Sequence, residues 1–523
     1  MNEKALKELT QQGCIIGKDA AEGLSEEDVE VIKGLDVTPM YVSEMMLNNL
    51  RERSNSVEDE VVHETEGGKL VEKTKLEEEQ GQTSGSEDNS DVELGEEFDD
   101  TSSKFSKDKA VRIKDDRNRS EMRTKVEILD ETDVSEDEKD VPEFLGYYND
   151  RYDRMKDMLM RRREMKSATS IKRLESRDEG EEATTVGLVN DKYSTQSGKW
   201  IVEIEDKTGT FKVLAEDREG ERIVPDEVIG VRGNLGGDII YADDIIRPDL
   251  PIPQGVKTTK DEVSAAYISD FHIGSEDTLN KRLDRFAEWL NSSQAENVGY
   301  LVIPGDVVEG VGTYPGQEEE LEITDIYKQY QKFEEWVEKV PEHIQILLGP
   351  GNHDITRLAE PQPRIDEDVL PTISDFNNVH LVQNPQTVRL HAIRSKGIKN
   401  LMYHGYSFDE QIDQIQSLRE KAYDDPSHVM IDLLKRRHLA PTYGSNLVSP
   451  EGDDNLVIGH EPDIFVAGHL HSHANESYKG VNVIASSTFQ AQTDFQKRVG
   501  HEPDPGKVTL VDFKTRNTDV KQF

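Results

Sequence analysis

Five short polar signatures, each behind an apolar run, dominate the second half of the chain. They are Asp270-Phe-His272, Gly305-Asp306, Gly351-Asn352-His353-Asp354, His404-Gly405 and Gly468-His469-Leu-His471. Strand-like runs such as Ala265-Ala-Tyr-Ile-Ser, Val298-Gly-Tyr-Leu-Val-Ile and Ile344-Gln-Ile-Leu-Leu precede them. Helical stretches at 279–291 and 325–340 lie between, the second with Thr324 placed as its cap. Strands alternating with helices predict α/β layers. In such sheets the residues just beyond the carboxyl ends of the strands share one crevice. The glycines let the backbone turn sharply there, so that neighbouring side chains can point into that crevice. Thirteen of the 14 histidines lie at or after position 272.

Singly, an Asp-x-His is an ordinary surface pair and a Gly-Asp is a turn. Together, and in this order at strand ends, the residue types fit a pair of divalent cations. Carboxylate, imidazole and amide oxygen suit Mn²⁺, Fe²⁺ or Zn²⁺, and no thiolate draws the site toward softer metals. Asp306 can bridge the two ions. Two ions about 3.5–4 Å apart activate a water and stabilise an in-line phosphoryl displacement. The chemistry expected is hydrolysis of a phosphoester.

With these motifs, residues 264–475 resemble the calcineurin-like metallophosphoesterase superfamily. The resemblance implies that Asp270, His272, Asp306 and His471 bind one metal and that Asp306, Asn352, His404 and His469 bind the second. It makes His353 the second-sphere acid that stabilises the transition state or protonates the leaving oxygen, with Asp354 orienting it. Glu309 is expected to support the site by hydrogen bonds, and His473 to stay outside it. The segment Gly305-Asp-Val-Val-Glu-Gly lacks the arginine with which the superfamily's phosphoprotein phosphatases grip phosphate.

The intervening sequence is closer still to the small subunit of archaeal family D DNA polymerases. The likeness is carried by Ile268-Ser-Asp-Phe-His-Ile-Gly-Ser, Gly305-Asp-Val-Val-Glu-Gly-Val-Gly, Tyr314-Pro-Gly-Gln-Glu-Glu-Glu-Leu, His404-Gly-Tyr-Ser and His438-Leu-Ala-Pro-Thr-Tyr-Gly. It implies a 3′–5′ exonuclease used in proofreading, with Mn²⁺ as first choice of metal and Mg²⁺, Zn²⁺ or Fe²⁺ as alternatives. The implied partners are the large catalytic subunit and DNA 3′ ends. The rival readings are a non-catalytic scaffold subunit and a stand-alone metallophosphoesterase.

The remaining chain divides by composition. Residues 1–50 read as a small helical domain, with Ser25 capping one helix and another over 42–50. Residues 51–140 read as a disordered acidic linker: the stretch 76–100 holds 11 acidic and no basic residues and cannot bury enough apolar surface to offset the entropy of ordering. In the third segment, 141–257, Tyr148, Tyr152, Met155 and Leu159 mark one helix face. The basic stretch 151–180 is read as a solvated helix face leading into β structure. Residues 184–250 follow as about five strands with glycine-bearing turns, which suits an OB-like barrel. Its candidate stacking aromatics are Trp200, Phe211 and Tyr241. Residues 258–523 form the metallophosphoesterase domain.

The formal net charge is −44. Residues 1–183 hold 50 acidic and 29 basic residues, leaving 57 and 34 beyond, so the excess is dispersed. Dispersed acidity suits a salt-loaded cytoplasm, where screening weakens self-repulsion, and predicts a halophilic source. It also predicts that the overall field does not attract nucleic acid, so binding must rest on local sites, metals or a partner. Cys14 is the single cysteine, which excludes a disulfide framework and a Cys-based zinc site. With no apolar run long enough to span a bilayer and a polar start, the expectation is a soluble cytoplasmic protein.

Overall fold

The computed structural model describes residues 123–132, 134, 141–312, 317–444 and 446–523, together with the paired backbones of three short strands further upstream. The chain divides into two units, Met1–Ser102 and Ser103–Phe523. In the first, β1 (Ile15–Ile16) pairs in parallel with β2 (Tyr41–Val42). Two strands thus stand where a purely helical domain was expected, and Val42 belongs to a strand instead of opening a helix. The expected cap at Ser25, the acidic run 76–100 and the Tyr314-Pro-Gly segment lie outside the described residues.

In the second unit, period-two alternation builds a sandwich. In β10 (Ser264–Tyr267), Ala265 and Tyr267 face one core while Ala266 faces another. β11 (Val298–Ile303) repeats this, with Tyr300 and Val302 opposed to Leu301 and Ile303. β10 and β11 run parallel to β12 (Gln345–Leu348) and β13 (Val379–Leu381). β19 (Lys507–Asp512) and β20 (Thr518–Gln522) complete this six-stranded sheet on the other side of β10.

The second sheet has seven strands. β15 (Ile398–Met402), β16 (Ile464–Ala467) and β18 (Val481–Ala485) are parallel. β14 (Gln386–Leu390) and β17 (Ala474–Tyr478) flank them antiparallel. β3 (Ala110–Arg112) and β4 (Arg123–Leu129) extend the β14 edge. The last strand corrects the expected linker boundary. Its Val126 and Ile128 pack on the core between the sheets, so the end of the 51–140 segment has apolar surface to bury and is ordered by it.

Helices α2 (Asn280–Leu290) and α3 (Ile326–Val337) cover the first sheet through Leu283, Phe286, Tyr330, Phe333 and Trp336. The cap of α3 is Asp325, one residue beyond the expected Thr324; its carboxylate accepts from the N–H groups of Tyr327 and Lys328. Helices α4 (Phe408–Gln414) and α5 (Ser427–Arg436) cover the second sheet. The result is the expected α/β layering.

Residues 182–246 form a closed five-stranded barrel of β5 (Glu182–Ser194), β6 (Trp200–Asp206), β7 (Gly209–Ala215), β8 (Val228–Leu235) and β9 (Ile239–Ile246), in the order β5-β6-β7-β9-β8. Phe211 fills its core and so is not a stacking aromatic. Tyr241 is exposed, and Trp200 packs at the core margin with Lys192 over its ring. Helix α1 (Val141–Met160) lays Tyr152, Met155 and Leu159 against the barrel, as the sequence periodicity required, with Tyr148 only partly buried. Its Arg151 is fully buried: Nε meets Asp454 Oδ2 at 2.6 Å, and Nη1 donates to the carbonyls of Pro441 (2.5 Å) and Asp226 (3.0 Å). No helix among the described residues is long and apolar enough to cross a membrane.

Candidate metal centre

The parallel strands of both sheets deliver the polar signatures from their carboxyl ends. Asp270 and His272 follow β10, Asp306 follows β11, and Asn352 and His353 follow β12. His404 follows β15, and His469 and His471 follow β16. The backbone there is unusual. Asp270, His272, Asp306, His469 and His471 have φ of 55°, 49°, 53°, 70° and 56°. Left-handed backbone at non-glycine residues costs about 1–3 kcal/mol each and persists only where the surroundings impose it. The glycines play two roles. Gly305 and Gly405 have positive φ and make the expected sharp turns. Gly351 and Gly468 instead permit close approach, since a Cβ would overlap the carboxylates of Asp306 and Asp270.

The side chains converge as two neighbouring groups, with a third, His272, Glu309 and His353, sharing His272 with the first. Asp270, His272 and His471 bring their ligating atoms within 4.8 Å of one another, and so do Asp306, His404 and His469. His272 Nε2 lies 3.0 Å from His471 Nε2 and 3.9 Å from Asp306 Oδ2. His404 Nε2 lies 3.1 Å from that same Asp306 oxygen and 2.9 Å from Asn352 Oδ1. One oxygen of Asp306 therefore stands between the groups, while its Oδ1 accepts the N–H of His353 (2.8 Å).

The donor set fits cations. His404 Nδ1 must carry a hydrogen, because it faces the carbonyl of Pro304 at 3.0 Å and a carbonyl only accepts. Its Nε2 then turns toward two acceptor oxygens. His272 Nδ1 is likewise committed to Glu309 Oε2 at 2.8 Å, leaving Nε2 toward the centre. Imidazoles steered by a carboxylate or carbonyl behind them are the usual construction of a metal ligand. The field agrees. Burial opposes charge on His272, yet Glu309, Asp306 and Asp270 carry its pKa to about 9. Burial opposes charge on His404 too, and Asp306 above all carries it to about 9. Asp306 itself is held well below the carboxylate range by His404 and His353 despite its burial. The centre draws positive charge.

The expected link from Asp354 to His353 is corrected. Asp354 Oδ2 accepts the N–H groups of Asp306 and Gly351, both at 2.8 Å, and Oδ1 accepts from Tyr330 Oη at 3.3 Å. Asp354 ties two site loops together, and burial with the nearby Asp306 raises its pKa to about 7. The residue that orients His353 is Glu309, whose carbonyl accepts from His353 Nδ1 at 2.8 Å. Its carboxylate also accepts from Gln490 Nε2 (2.9 Å) and Gln317 Nε2 (3.2 Å). Glu309 thus aims two histidines at once. Two further residues had no motif to reveal them: Asp409, 2.9 Å from His469 Nε2, and Gln490. His473 bonds Thr509 Oγ1 at 2.9 Å, apart from the groups above. The side chain of His353 is 19% exposed, against 3% for His272 and 0% for His404, so it faces the opening.

Comparisons agree with this geometry. Residues 264–473 match the family model "Calcineurin-like phosphoesterase"; such enzymes use a dinuclear metal centre. The chain is 41% identical over 402 residues to the DNA polymerase II small subunit of Halobacterium salinarum, covering 75% of this chain and 77% of that one. It is 38% identical over 395 residues to the protein of the same name from Archaeoglobus fulgidus, covering 73% and 78%. The counterpart from Methanocaldococcus jannaschii is 37% identical over 408 residues, covering 74% and 67%. With this likeness running through barrel and sandwich alike, the chain belongs to the family of DNA polymerase II small subunits.

Proposed function

We propose that this chain carries the 3′–5′ exonuclease of a replicative DNA polymerase, hydrolysing the terminal phosphodiester of a primer strand. The observation that supports it most is the convergence of imidazole nitrogens and carboxylate oxygens on either side of Asp306. In this reading Asp270, His272, Asp306 and His471 hold one divalent ion, and Asp306, Asn352, His404 and His469 hold a second, Mn²⁺ in preference. Bound there, the ions supply Lewis-acid activation of water and charge stabilisation of the phosphoryl oxygens. His353 supplies the proton. Its Nδ1–H is spent on the Glu309 carbonyl, so Nε2 is the atom able to protonate the leaving oxygen at the mouth of the site. Asp354 acts as a positioning residue that holds the Asp306 and Gly351 loops in register.

The specificity for DNA draws on other features. Gly310 stands one residue past Glu309, where the phosphatase pattern has its arginine, and its backbone is clamped by Gln329 at 3.0 and 3.1 Å. This favours a phosphodiester over a phosphoprotein. The barrel's strand order supports an OB fold. The relatives' name implies a large catalytic partner, which is needed to bring DNA to a chain of net charge −44. Dispersed acidity and the similarity to a Halobacterium protein support a halophilic source.

The test is an exonuclease assay of the purified two-subunit complex with Mn²⁺ and a primer bearing a 3′ mismatch. Stepwise loss of 3′ nucleotides is expected. No nucleotide release from a metal-loaded complex would favour the scaffold reading.

A further inference from the structure

A second polar cavity, of about 450 Å³, opens where the end of α1, the barrel and α5 meet. It shares no residue with the metal centre. Four cations line it: Arg162 just beyond α1, Arg232 on β8, Arg247 just beyond β9, and Lys435 on α5. Two are already engaged. Arg232 pairs with Asp244, and Arg247 Nη2 donates to the Arg222 carbonyl at 2.8 Å and to Glu227 at 3.3 Å. Of the lining acids, Asp249 is taken by Lys479 (2.6 Å) and Tyr478 (3.0 Å). Glu164 is exposed to solvent.

Arg162 and Lys435 are left over. Arg162 reaches only the Pro248 carbonyl, at 3.4 Å, and its Nε is buried with no hydrogen-bond partner. Lys435 is partly buried. Among the described residues its ammonium has no carboxylate within ion-pair distance, and it lies over the Tyr478 ring at 5.4 Å. Burial depresses its pKa; Asp432 and Asp249 oppose the shift from a distance, and Arg222 and Arg247 add to it. A buried guanidinium nitrogen without an acceptor is costly. Two such cations lining one cavity are more so, unless an anion joins them. In a chain this acidic, such a pair is not an average of the surface.

We infer that this cavity is a binding site for a phosphate group, held between the Arg162 guanidinium and the Lys435 ammonium. Guanidinium matches phosphate with a planar fork, and ammonium serves it as a point charge. The volume falls in the range of small-molecule sites, about 300–1,000 Å³, so the phosphate can carry a sugar or belong to a strand. The basic stretch at 151–180, read from sequence as a solvated face, thus sends Arg151 into a buried ion pair and Arg162 into this cavity.

The test is calorimetric titration of the full chain with inorganic phosphate and, separately, with single-stranded oligothymidylate. Saturation by phosphate assigns a free anion. Saturation by the oligonucleotide alone assigns a strand phosphate. In either case R162Q/K435Q should weaken binding about tenfold or more, while R162K/K435R keeps it and the unfolding midpoint is unchanged. Equal affinity in R162Q/K435Q, or no saturation of the wild type by either probe, overturns the inference. The site is independent of hydrolysis: D306N should lose exonuclease activity and keep this binding.

Discussion

The metal centre and the junction of α1 with the barrel and α5 both bury charge, and they do so in opposite ways. Around Arg151 and Arg436, at the heart of the junction, each buried charge has its complement. Arg151 faces Asp454, whose Oδ2 also takes His438 Nε2 at 2.8 Å. Arg436 bonds Asp432 at 2.7 Å, the carbonyl of Arg222 at 2.6 Å, and Glu227. At the centre, imidazoles and carboxylates crowd together, most of them on left-handed backbone. Satisfied networks fix one geometry, and here they set the barrel against the sandwich. The centre instead gathers ligand-type atoms around one shared carboxylate, an arrangement that fits a bound cation.

The contrast can be broken at several points, in falling order of effect. D306N removes the oxygen shared by both groups and should reduce hydrolysis to background, with loss of bound metal by elemental analysis. H353A should lower the rate by about 10²–10⁴ with metal content retained; loss of both ions would contradict its role as the proton donor. R151M leaves Asp454 buried without its guanidinium and should cost about 3–5 kcal/mol of stability in chemical denaturation. The double variant R151M/D454L should recover part of that. If the junction tolerates R151M as a surface site would, the comparison fails. E309Q should weaken metal affinity about 10–100-fold, read by competition with a chelator.

The smallest effect is a pH slope. His438 is neutral in the fold: burial and then Arg151 hold its pKa at about 4, against an ordinary 6.5. The folded-state value lies below the unfolded one. Its contribution is therefore complete above pH 6.5 and declines as the pH falls toward 4, where the unfolded chain takes a proton that the fold refuses. H438Q should flatten the dependence of the unfolding midpoint on pH across that window. An unchanged slope would show that His438 does not sense it.

Much of the site was legible beforehand because metal chemistry limits the residue types and sheet topology limits their places. Asp270, His272, Asp306, Asn352, His404, His469 and His471 each follow an apolar run, and each run is a parallel strand whose carboxyl end opens on one edge of the sandwich. The orienting residues were less legible. Glu309 acts on His353 through a main-chain carbonyl, which has no residue-type signature, and Asp409 reaches His469 across 60 positions. Asp354 sits next to His353 in sequence, yet its carboxylate turns to the Asp306 and Gly351 amides. Adjacency along a turn says little about which way a side chain points.

The amino-acid order by itself determined the layered α/β class, the polar signatures at the strand ends and the helix face Tyr152-Met155-Leu159, since periodicity and residue chemistry are local properties. Only the tertiary structure decided that Arg123–Leu129 closes a sheet edge by pairing with residues some 260 positions later. It alone showed which of the cations at 151–180 are spent inside the protein and which face a cavity. Pairings of that kind depend on distances between segments remote in sequence, and those distances exist only once the chain has folded.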